Sequence, residues 1–189
     1  YQWLLDQGRA AENIAIAGDS AGGGLTLSTL LAIKQQGLPM PACAYMLSPL
    51  LDVTDQAPSR WKNARSDSAL PAANARAVNP RPLYLGDNDP RDPIVSPING
   101  DFSGLPPLYI QVSDSEMLLD DSLRLARRGH TYDVEVTVDI WRKVPHVWQA
   151  FAFLPESDEA LHKAGRFLRE KAGRGEPEPA TTKLASGMN

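Results

Sequence analysis

The feature that most constrains this chain is the five-residue motif Gly18-Asp19-Ser20-Ala21-Gly22. It follows an apolar run, residues 13–18, and precedes a segment with helical spacing, residues 21–37, that ends at a glycine. The G-x-S-x-G pattern between a strand and a helix is typical of a strained turn that raises the serine hydroxyl above a sheet. The motif therefore predicts a strand–turn–helix unit and makes Ser20 a candidate nucleophile.

The glycines also suggest two phosphate-binding loops, and the residue identities exclude both. A Walker-type loop requires Gly-Lys followed by Ser or Thr, whereas Leu25 follows Gly24. A dinucleotide fingerprint in this register needs a third glycine where Leu27 stands. A serine that only caps the helix N-terminus stays open as the simplest alternative for Ser20.

The rest of the chain alternates between strand and helix patterns. Strands are predicted at residues 42–53, 105–116 and 133–141, and helices at 117–129 and 146–172. The last strand alternates apolar and polar residues, which indicates a half-buried strand near a sheet edge. This order predicts the α/β class, a mostly parallel sheet with helices on both faces.

Two segments fall outside this pattern. Residues 54–92 are rich in proline and show no strand alternation, so we expect an excursion with one or two short helices that acts as a cap or lid. Residues 173–189 have few apolar side chains and no periodicity, so we expect a disordered tail. The domain is therefore predicted to span residues 1–172.

The composition excludes several classes of protein. The 189-residue chain has a formal charge of −4 with scattered basic residues, which is unsuited to a nucleic-acid backbone. No run approaches the roughly 18 apolar residues of a membrane span. Cys43 is the single cysteine and lies in an apolar run, so we expect a buried thiol and a cytoplasmic location. We expect a small-molecule partner and leave a homodimer open.

A nucleophilic serine needs a neighbouring base, and the chain has three histidines. His130 stands at a predicted helix end and His162 among charged residues of a late helix, where surface roles are expected. His146 follows the last predicted strand, behind Pro145, and loops at the carboxyl ends of parallel strands carry the chemistry in this architecture. We therefore assign His146 as the general base.

A carboxylate must hold the base, and the chain order Ser, acid, His places it after the third predicted strand. Four acids compete there: Asp114, Glu116, Asp120 and Asp121. The last two fall in the predicted helix, where negative charge favours the first turn. The backbone N–H of Ala21 is the natural oxyanion donor, because it lies at the start of the helix after Ser20.

Five segments occur in a characteristic order: GDSAGGGL, LSPLLD, DPIVSPINGDFSGLPPLYIQV, LLDDS and PHVWQAF. With them, the chain resembles the bacterial hormone-sensitive lipase family of α/β-hydrolase esterases from residue 1 to about 172. Family members place the acid nine residues after the Pro-Pro that opens this strand, where Glu116 stands. The resemblance implies Ser20 as nucleophile, Glu116 as acid and His146 as base, with Asp114 as the alternative acid.

The family also carries an H-G-G-G motif ahead of the elbow that supplies further oxyanion donors, and this sequence has none. We therefore expect the sequence to be the C-terminal part of a longer esterase. Losing one oxyanion donor typically costs on the order of 10² to 10³ in rate, so we expect these residues alone to be poorly folded and nearly inactive.

The leading hypothesis is a carboxylic ester hydrolase that forms an acyl-enzyme on Ser20 and acts on short-chain acyl esters. We expect it to need no organic cofactor and no metal, because the histidines lack metal-ligand spacing. Two alternatives stay open: a non-catalytic small-molecule-binding protein of the same fold, and an amidase or acyltransferase with the same triad.

Overall fold

Four strands form one parallel sheet in the order β1-β2-β3-β4 in a computed structural model that describes residues 1–54, 56–70 and 84–173. The strands are β1, Ala15–Asp19; β2, Cys43–Leu47; β3, Leu108–Ser113; and β4, Val136–Trp141. Each strand comes from one of the predicted apolar or alternating runs. The predicted parallel sheet is therefore confirmed.

Helices cover both faces of the sheet. They are α1, Gln2–Asp6; α2, Ala21–Gln35; α3, Ser59–Lys62; α4, Leu119–Thr131; and α5, Pro155–Lys171. Leu27 and Leu30 of α2 and Leu125 of α4 share one core cluster with residues of β2 and β3, namely Ala44, Met46, Leu108 and Ile110. On the other face, α5 packs against the stacked rings of Tyr45 and Tyr109. This two-faced packing is the arrangement expected for a parallel sheet.

The strands differ in how deeply they lie. All six residues of β3 are buried, and so are four of the five residues of β2. In contrast, β1 alternates between exposed and half-buried residues, and within the described part of the chain it pairs with β2 alone. At the opposite end, β4 pairs only with β3 in the described residues and is half-buried, as its alternation predicts.

The last helix begins later than predicted. It starts at Pro155, whereas the sequence pattern placed its start near His146. Between them, Val147 adopts a left-handed conformation with φ 51°, and a single 3-10 turn spans Trp148–Ala150. A left-handed residue interrupts a right-handed helix, so Val147 separates His146 from the long helix, and proline favours the first helical position, which Pro155 occupies.

The structure describes part of the predicted excursion. Its described residues include the short helix α3, and Asp55 and residues 71–83 lie outside the described residues. The predicted disordered tail also lies outside them, apart from Gly173. No helix among the described residues is both long enough and apolar enough to cross a membrane. The predicted buried thiol is confirmed, because Cys43 is fully buried in β2.

Candidate active site

Ser20 occupies a strained turn between β1 and α2. Its backbone has φ 53° and ψ −118°, a region that a non-glycine residue enters only when its surroundings hold it there. Its N–H donates to the carbonyl of Leu47 at 2.8 Å, and its carbonyl accepts from the N–H groups of Leu50 at 2.9 Å and Gly23 at 3.1 Å. The end of β2 and the first turn of α2 therefore hold the strained serine in place.

The two motif glycines have different roles. A Cβ on Gly18 would lie 2.3 Å from the Gly22 carbonyl oxygen, so no larger residue fits without a shift of the turn. A Cβ on Gly22 would meet only the Asp19 carboxylate, at 4.0 Å, among the described residues. A missing side chain is therefore required at Gly18 and not at Gly22, because the backbone of Gly22 makes the close contact.

Ala21 is the first residue of α2. The backbone N–H groups of a first helical turn have no acceptor within the helix and carry the positive end of the helix dipole. The Ala21 N–H lies next to Ser20 at this end of α2, and its role as an oxyanion donor stays a prediction.

Glu116 and His146 form the closest acid–base contact of the site. The Glu116 Oε2 atom lies 2.6 Å from Nδ1 of His146, and Glu116 is only 1% exposed. Glu116 Oε1 accepts from the Ser113 N–H and from the Ser48 hydroxyl, each at 2.8 Å. Because both donors bind the same oxygen, the other oxygen is left to His146.

Ser48 is a site residue that the sequence interpretation missed. It is fully buried, has a left-handed backbone with φ 46°, and directly follows β2. Its hydroxyl also lies 3.5 Å from the Val147 N–H, next to His146. Pro49, directly after Ser48, was the available signal, because a proline tends to end a strand and the carboxyl ends of parallel strands meet at one edge of the sheet.

Gln149 supports the turn after His146. It is buried, and its Nε2 donates to the Gln111 Oε1 atom at 3.0 Å. Gln111, fully buried in β3, also donates to the Ala160 carbonyl in α5 at 3.0 Å. The turn that carries His146 is thus tied to both the sheet and the last helix.

The alternative acid points elsewhere. Asp114 Oδ1 accepts from the Lys143 N–H at 2.8 Å, and no hydrogen bond joins its side chain to any histidine of the described residues. His130 and His162 are exposed on α4 and α5, where surface roles were expected. The structure therefore brings Glu116, and not Asp114, to His146.

The other two candidate acids lie in the first turn of α4, where the sequence placed them. Asp120 accepts from the Ser59 N–H at 2.7 Å, and Asp121 accepts from the Leu51 N–H at 2.9 Å and from Arg60 at 3.0 Å. Burial raises the pKa of Asp121, and the Arg60 guanidinium opposes that rise. These acids therefore tie α4 to neighbouring segments as well as favouring the helix N-terminus.

Ser20 and His146 share one edge of the sheet but are not hydrogen-bonded to each other in the described chain. A pocket of about 430 Å³ is lined by Asp19 and Val147, the neighbours of these two residues. Catalytic hydrogen bonds are often long in unliganded enzymes and tighten when substrate binds. The site therefore has a formed acid–base pair beside a strained serine.

A second, smaller pocket lies against the first turns of α2. Its volume is about 180 Å³, and its lining is almost wholly apolar. The residues around it are Ala21, Gly24, Leu25, Ser28, Leu50, Val53, Tyr84 and Val95. The pocket can accept a small apolar group next to the serine turn.

Within residues 1–54, 56–70 and 84–173, no group of three or more His, Cys, Asp or Glu side chains is arranged to hold a metal ion.

Comparisons with known proteins agree with this geometry. The family model described as alpha/beta hydrolase fold matches residues 1–150. An acetyl-hydrolase from Streptomyces hygroscopicus is 39% identical over 176 residues, which cover 93% of this chain and 58% of that protein. An esterase from Acinetobacter venetianus is 38% identical over 168 residues, which cover 88% of this chain and 55% of that protein.

Solved structures are equally similar. The crystal structure of an esterase from the bacterial hormone-sensitive lipase family matches with a TM-score of 0.87 at 40% identity, over 92% of this chain and 58% of that chain. The chain therefore spans somewhat more than half the length of the proteins that it matches. Taken with the elbow and the parallel sheet, these matches show that the chain belongs to the α/β hydrolase family, in the group of bacterial hormone-sensitive lipase esterases that its motifs resemble.

Proposed function

We propose that the protein is a carboxylic ester hydrolase in which Ser20 is the nucleophile, His146 the general base and Glu116 the acid. The observation that carries the proposal is the 2.6 Å contact between Glu116 Oε2 and His146 Nδ1, buried at the same sheet edge as the strained Ser20. A buried carboxylate at Nδ1 holds the imidazole in the tautomer whose Nε2 can accept a proton.

In this mechanism the Ser20 Oγ attacks the ester carbonyl while His146 Nε2 takes the hydroxyl proton. The Ala21 N–H donates to the oxyanion of the tetrahedral intermediate. When the intermediate collapses, His146 gives its proton to the leaving alcohol and an acyl-enzyme remains on Ser20. A water molecule then attacks the acyl carbonyl, His146 takes its proton, and the carboxylic acid leaves as Ser20 recovers its hydrogen.

The substrate proposed is an ester of a short acyl chain. The apolar pocket of about 180 Å³ beside Ala21 has room for a small acyl group. The relative from Streptomyces is named an acetyl-hydrolase, which agrees with a short acyl chain.

Several broader expectations also stay proposals. The first is a catalytic domain over residues 1–172 with a cap near residues 54–92. The others are a cytoplasmic location, no nucleic-acid partner, and formation of a homodimer. The first could be tested by limited proteolysis, and the last by light scattering of the purified protein.

The experiment is a four-variant comparison in the full-length protein, with hydrolysis of a short-chain p-nitrophenyl ester as the measurement. We expect Ser20→Ala and His146→Ala to lose at least about 10³-fold in kcat, because nucleophile and base act as one unit. Glu116→Gln should lose a comparable factor, since it no longer holds the imidazolium. Asp114→Asn is the matched control and should retain nearly full activity.

A fluorophosphonate label provides a second measurement that is independent of the ester chosen. It should attach to Ser20 in the native protein and fail to attach to the Ser20→Ala variant. An inactive native protein that binds esters without labelling would point to the binding-protein alternative. Hydrolysis of amides in preference to esters would point to an amidase.

A further inference from the structure

The turn after β3 carries Glu116, and we call residues 113–117 the acid loop. The described first part of the excursion, residues 59–67, lies against it, and we call this stretch the clamp segment. Asn63 of the clamp segment donates through its one Nδ2 atom to two carbonyls of the acid loop, those of Asp114 at 3.0 Å and Glu116 at 2.8 Å. A single amide group thus bridges the backbone on both sides of Ser115.

Two further side chains of the clamp segment hold the next residue of the loop. Asp67, which is 4% exposed, accepts from the Met117 N–H at 2.9 Å through Oδ2. The buried Ser59 hydroxyl donates to the Met117 carbonyl at 2.7 Å. Both polar backbone groups of Met117 are therefore bound by side chains that lie 50 or more residues earlier in the chain.

Among the described residues, the acid loop makes few backbone–backbone hydrogen bonds. Within the loop, the Glu116 N–H donates to the Ser113 carbonyl at a long 3.3 Å. The Glu116 carbonyl also accepts from the Leu119 N–H at 3.3 Å, and the Asp114 N–H joins the loop to β4 by donating to the Trp141 carbonyl at 2.8 Å. Buried backbone groups without partners cost free energy, so the side chains of the clamp segment set which loop conformation is favoured.

We propose that Asn63 is a positioning residue of the site, and that the clamp segment holds the acid loop in the conformation that aims Glu116 at His146. This inference rests on the proposed ester hydrolase function. Asn63 touches no reacting atom. It acts through the backbone of Glu116, whose carboxylate must stay within hydrogen-bond distance of the His146 ring.

The first part of the excursion then supports the acid loop rather than acting as a lid. That part is tied to the acid loop by side-chain hydrogen bonds, whereas a lid would be expected to contact the core only loosely. Any shift of the clamp segment would thus displace the backbone of Glu116.

The test compares Asn63→Asp with Asn88→Asp in the full-length protein. Asn63→Asp keeps the shape of the side chain but places an oxygen, which cannot donate, against two carbonyl oxygens. Asn88 is the matched control, because its Nδ2 donates at 2.8 Å to a carbonyl within the excursion, that of Leu85. Both variants add one negative charge to the same segment.

Three measurements are made on each variant. Hydrolysis of a short-chain p-nitrophenyl ester gives kcat and KM, and thermal unfolding gives Tm. Proton NMR gives the low-field resonance of the hydrogen shared by His146 Nδ1 and Glu116, which reports on that contact without any turnover.

We expect Asn63→Asp to lower kcat on the order of 10²-fold with KM within about twofold, since displacements near 1 Å can cost that much. The low-field resonance should shift or vanish, and Asn88→Asp should match the native protein in all three measurements. If Asn63→Asp fails to fold, Asn63→Ala is tested in its place. It should show a smaller decrease in kcat and a smaller change in the low-field resonance.

A folded Asn63 variant with native kcat and an unchanged low-field resonance would overturn the proposal, and so would an Asn88→Asp variant with equal losses. A native protein that hydrolyses no ester but loses the resonance in Asn63→Asp would remove the proposed function and keep the positioning role. The two failures are thereby distinguished.

Discussion

The two sides of the candidate site are held in different ways. On the acid side, Glu116 is 1% exposed and receives side-chain and backbone donors, and the clamp segment surrounds its loop. On the nucleophile side, the contacts that the described residues make to the turn at Ser20 are backbone hydrogen bonds and the close approach of Gly18 to Gly22. The strand before it, β1, is less buried than β2 and β3, and one of its edges is unpaired within the described residues.

This difference indicates which kind of substitution each side of the site tolerates. A side held by buried polar side chains should fail when one charge or donor is removed, because its partner is then left without compensation. A side held by backbone contact should tolerate polar changes and fail when an atom is added. Substitutions on the two sides should therefore differ in both kind and size of effect.

The largest effect is expected at the buried ion pair between Arg60 and Asp121. Arg60 Nη2 lies 3.0 Å from Asp121 Oδ2, with side-chain exposures of 5% and 0%. Removing one partner of such a pair typically costs about 3–5 kcal/mol, since a charge stays buried alone. Arg60→Met should therefore lower the free energy of unfolding by about that amount, as measured by urea denaturation.

Two controls accompany this variant. Adding Asp121→Asn to Arg60→Met removes the orphaned charge and should recover most of the loss. Lys34→Met breaks the exposed contact between Lys34 and Asp101, 2.7 Å apart, and should change stability little. If Arg60→Met costs no more than Lys34→Met, the acid side does not depend on buried charge.

The next effect concerns the nucleophile side. Gly18→Ala would place a Cβ 2.3 Å from the Gly22 carbonyl oxygen, so the serine turn must shift. We expect a loss of about 1–3 kcal/mol in the free energy of unfolding, typical of overpacking, and a loss of kcat because Ser20 moves. The measurements are urea denaturation and ester hydrolysis.

Gly22→Ala is the matched control for Gly18→Ala. Its Cβ meets only Asp19, at 4.0 Å, among the described residues, and alanine is the better helix former at the start of α2. It should keep native stability and activity. Equal damage from both substitutions would show that the motif glycines act alike, contrary to the geometry.

The sequence predicted the parts of this molecule that local pattern controls. The apolar run before Ser20 and the alternation of residues 133–141 predicted β1 and β4, because strand periodicity is a property of neighbouring residues. His146 was assigned from its place after a strand, and the structure puts it against Glu116. The catalytic roles of Ser20, Glu116 and His146 stay predictions until variants are measured.

The sequence could not predict the contacts that join distant segments. Asn63 reaches the acid loop from more than 50 residues away and binds backbone carbonyls, which every residue possesses and which leave no sequence signal. The start of α5 was misplaced because the aromatic run after His146 has helical spacing, while the left-handed backbone of Val147 depends on tertiary contacts. Ser48 was missed for the same reason, since its partner Glu116 lies 68 residues later.

The smallest effect separates two buried carboxylates by the sign of their pH dependence. Burial raises the pKa of Asp52, but hydrogen bonds from Thr54 and Arg124 outweigh it, and the net pKa lies below the ordinary 3.8. For Asp121, burial dominates the opposing Arg60, and its pKa lies above that value. The two side chains are close enough to interact, since the charge on Asp52 contributes to the raised pKa of Asp121.

The signs follow from which state binds protons more tightly. Asp52 contributes stability above pH 3.8 that is lost as pH falls through its lowered folded pKa. The difference in free energy of unfolding between the native protein and Asp52→Asn should therefore decrease on acidification. Asp121 does the opposite: its stability contribution is full below pH 3.8 and is lost as pH rises through its raised folded pKa. The free energy of unfolding of the native protein, relative to that of Asp121→Asn, should therefore increase as pH falls. Urea denaturation between pH 7 and pH 3 measures both differences, and slopes of the same sign would contradict the assignment of Arg124 and Arg60 to these two carboxylates.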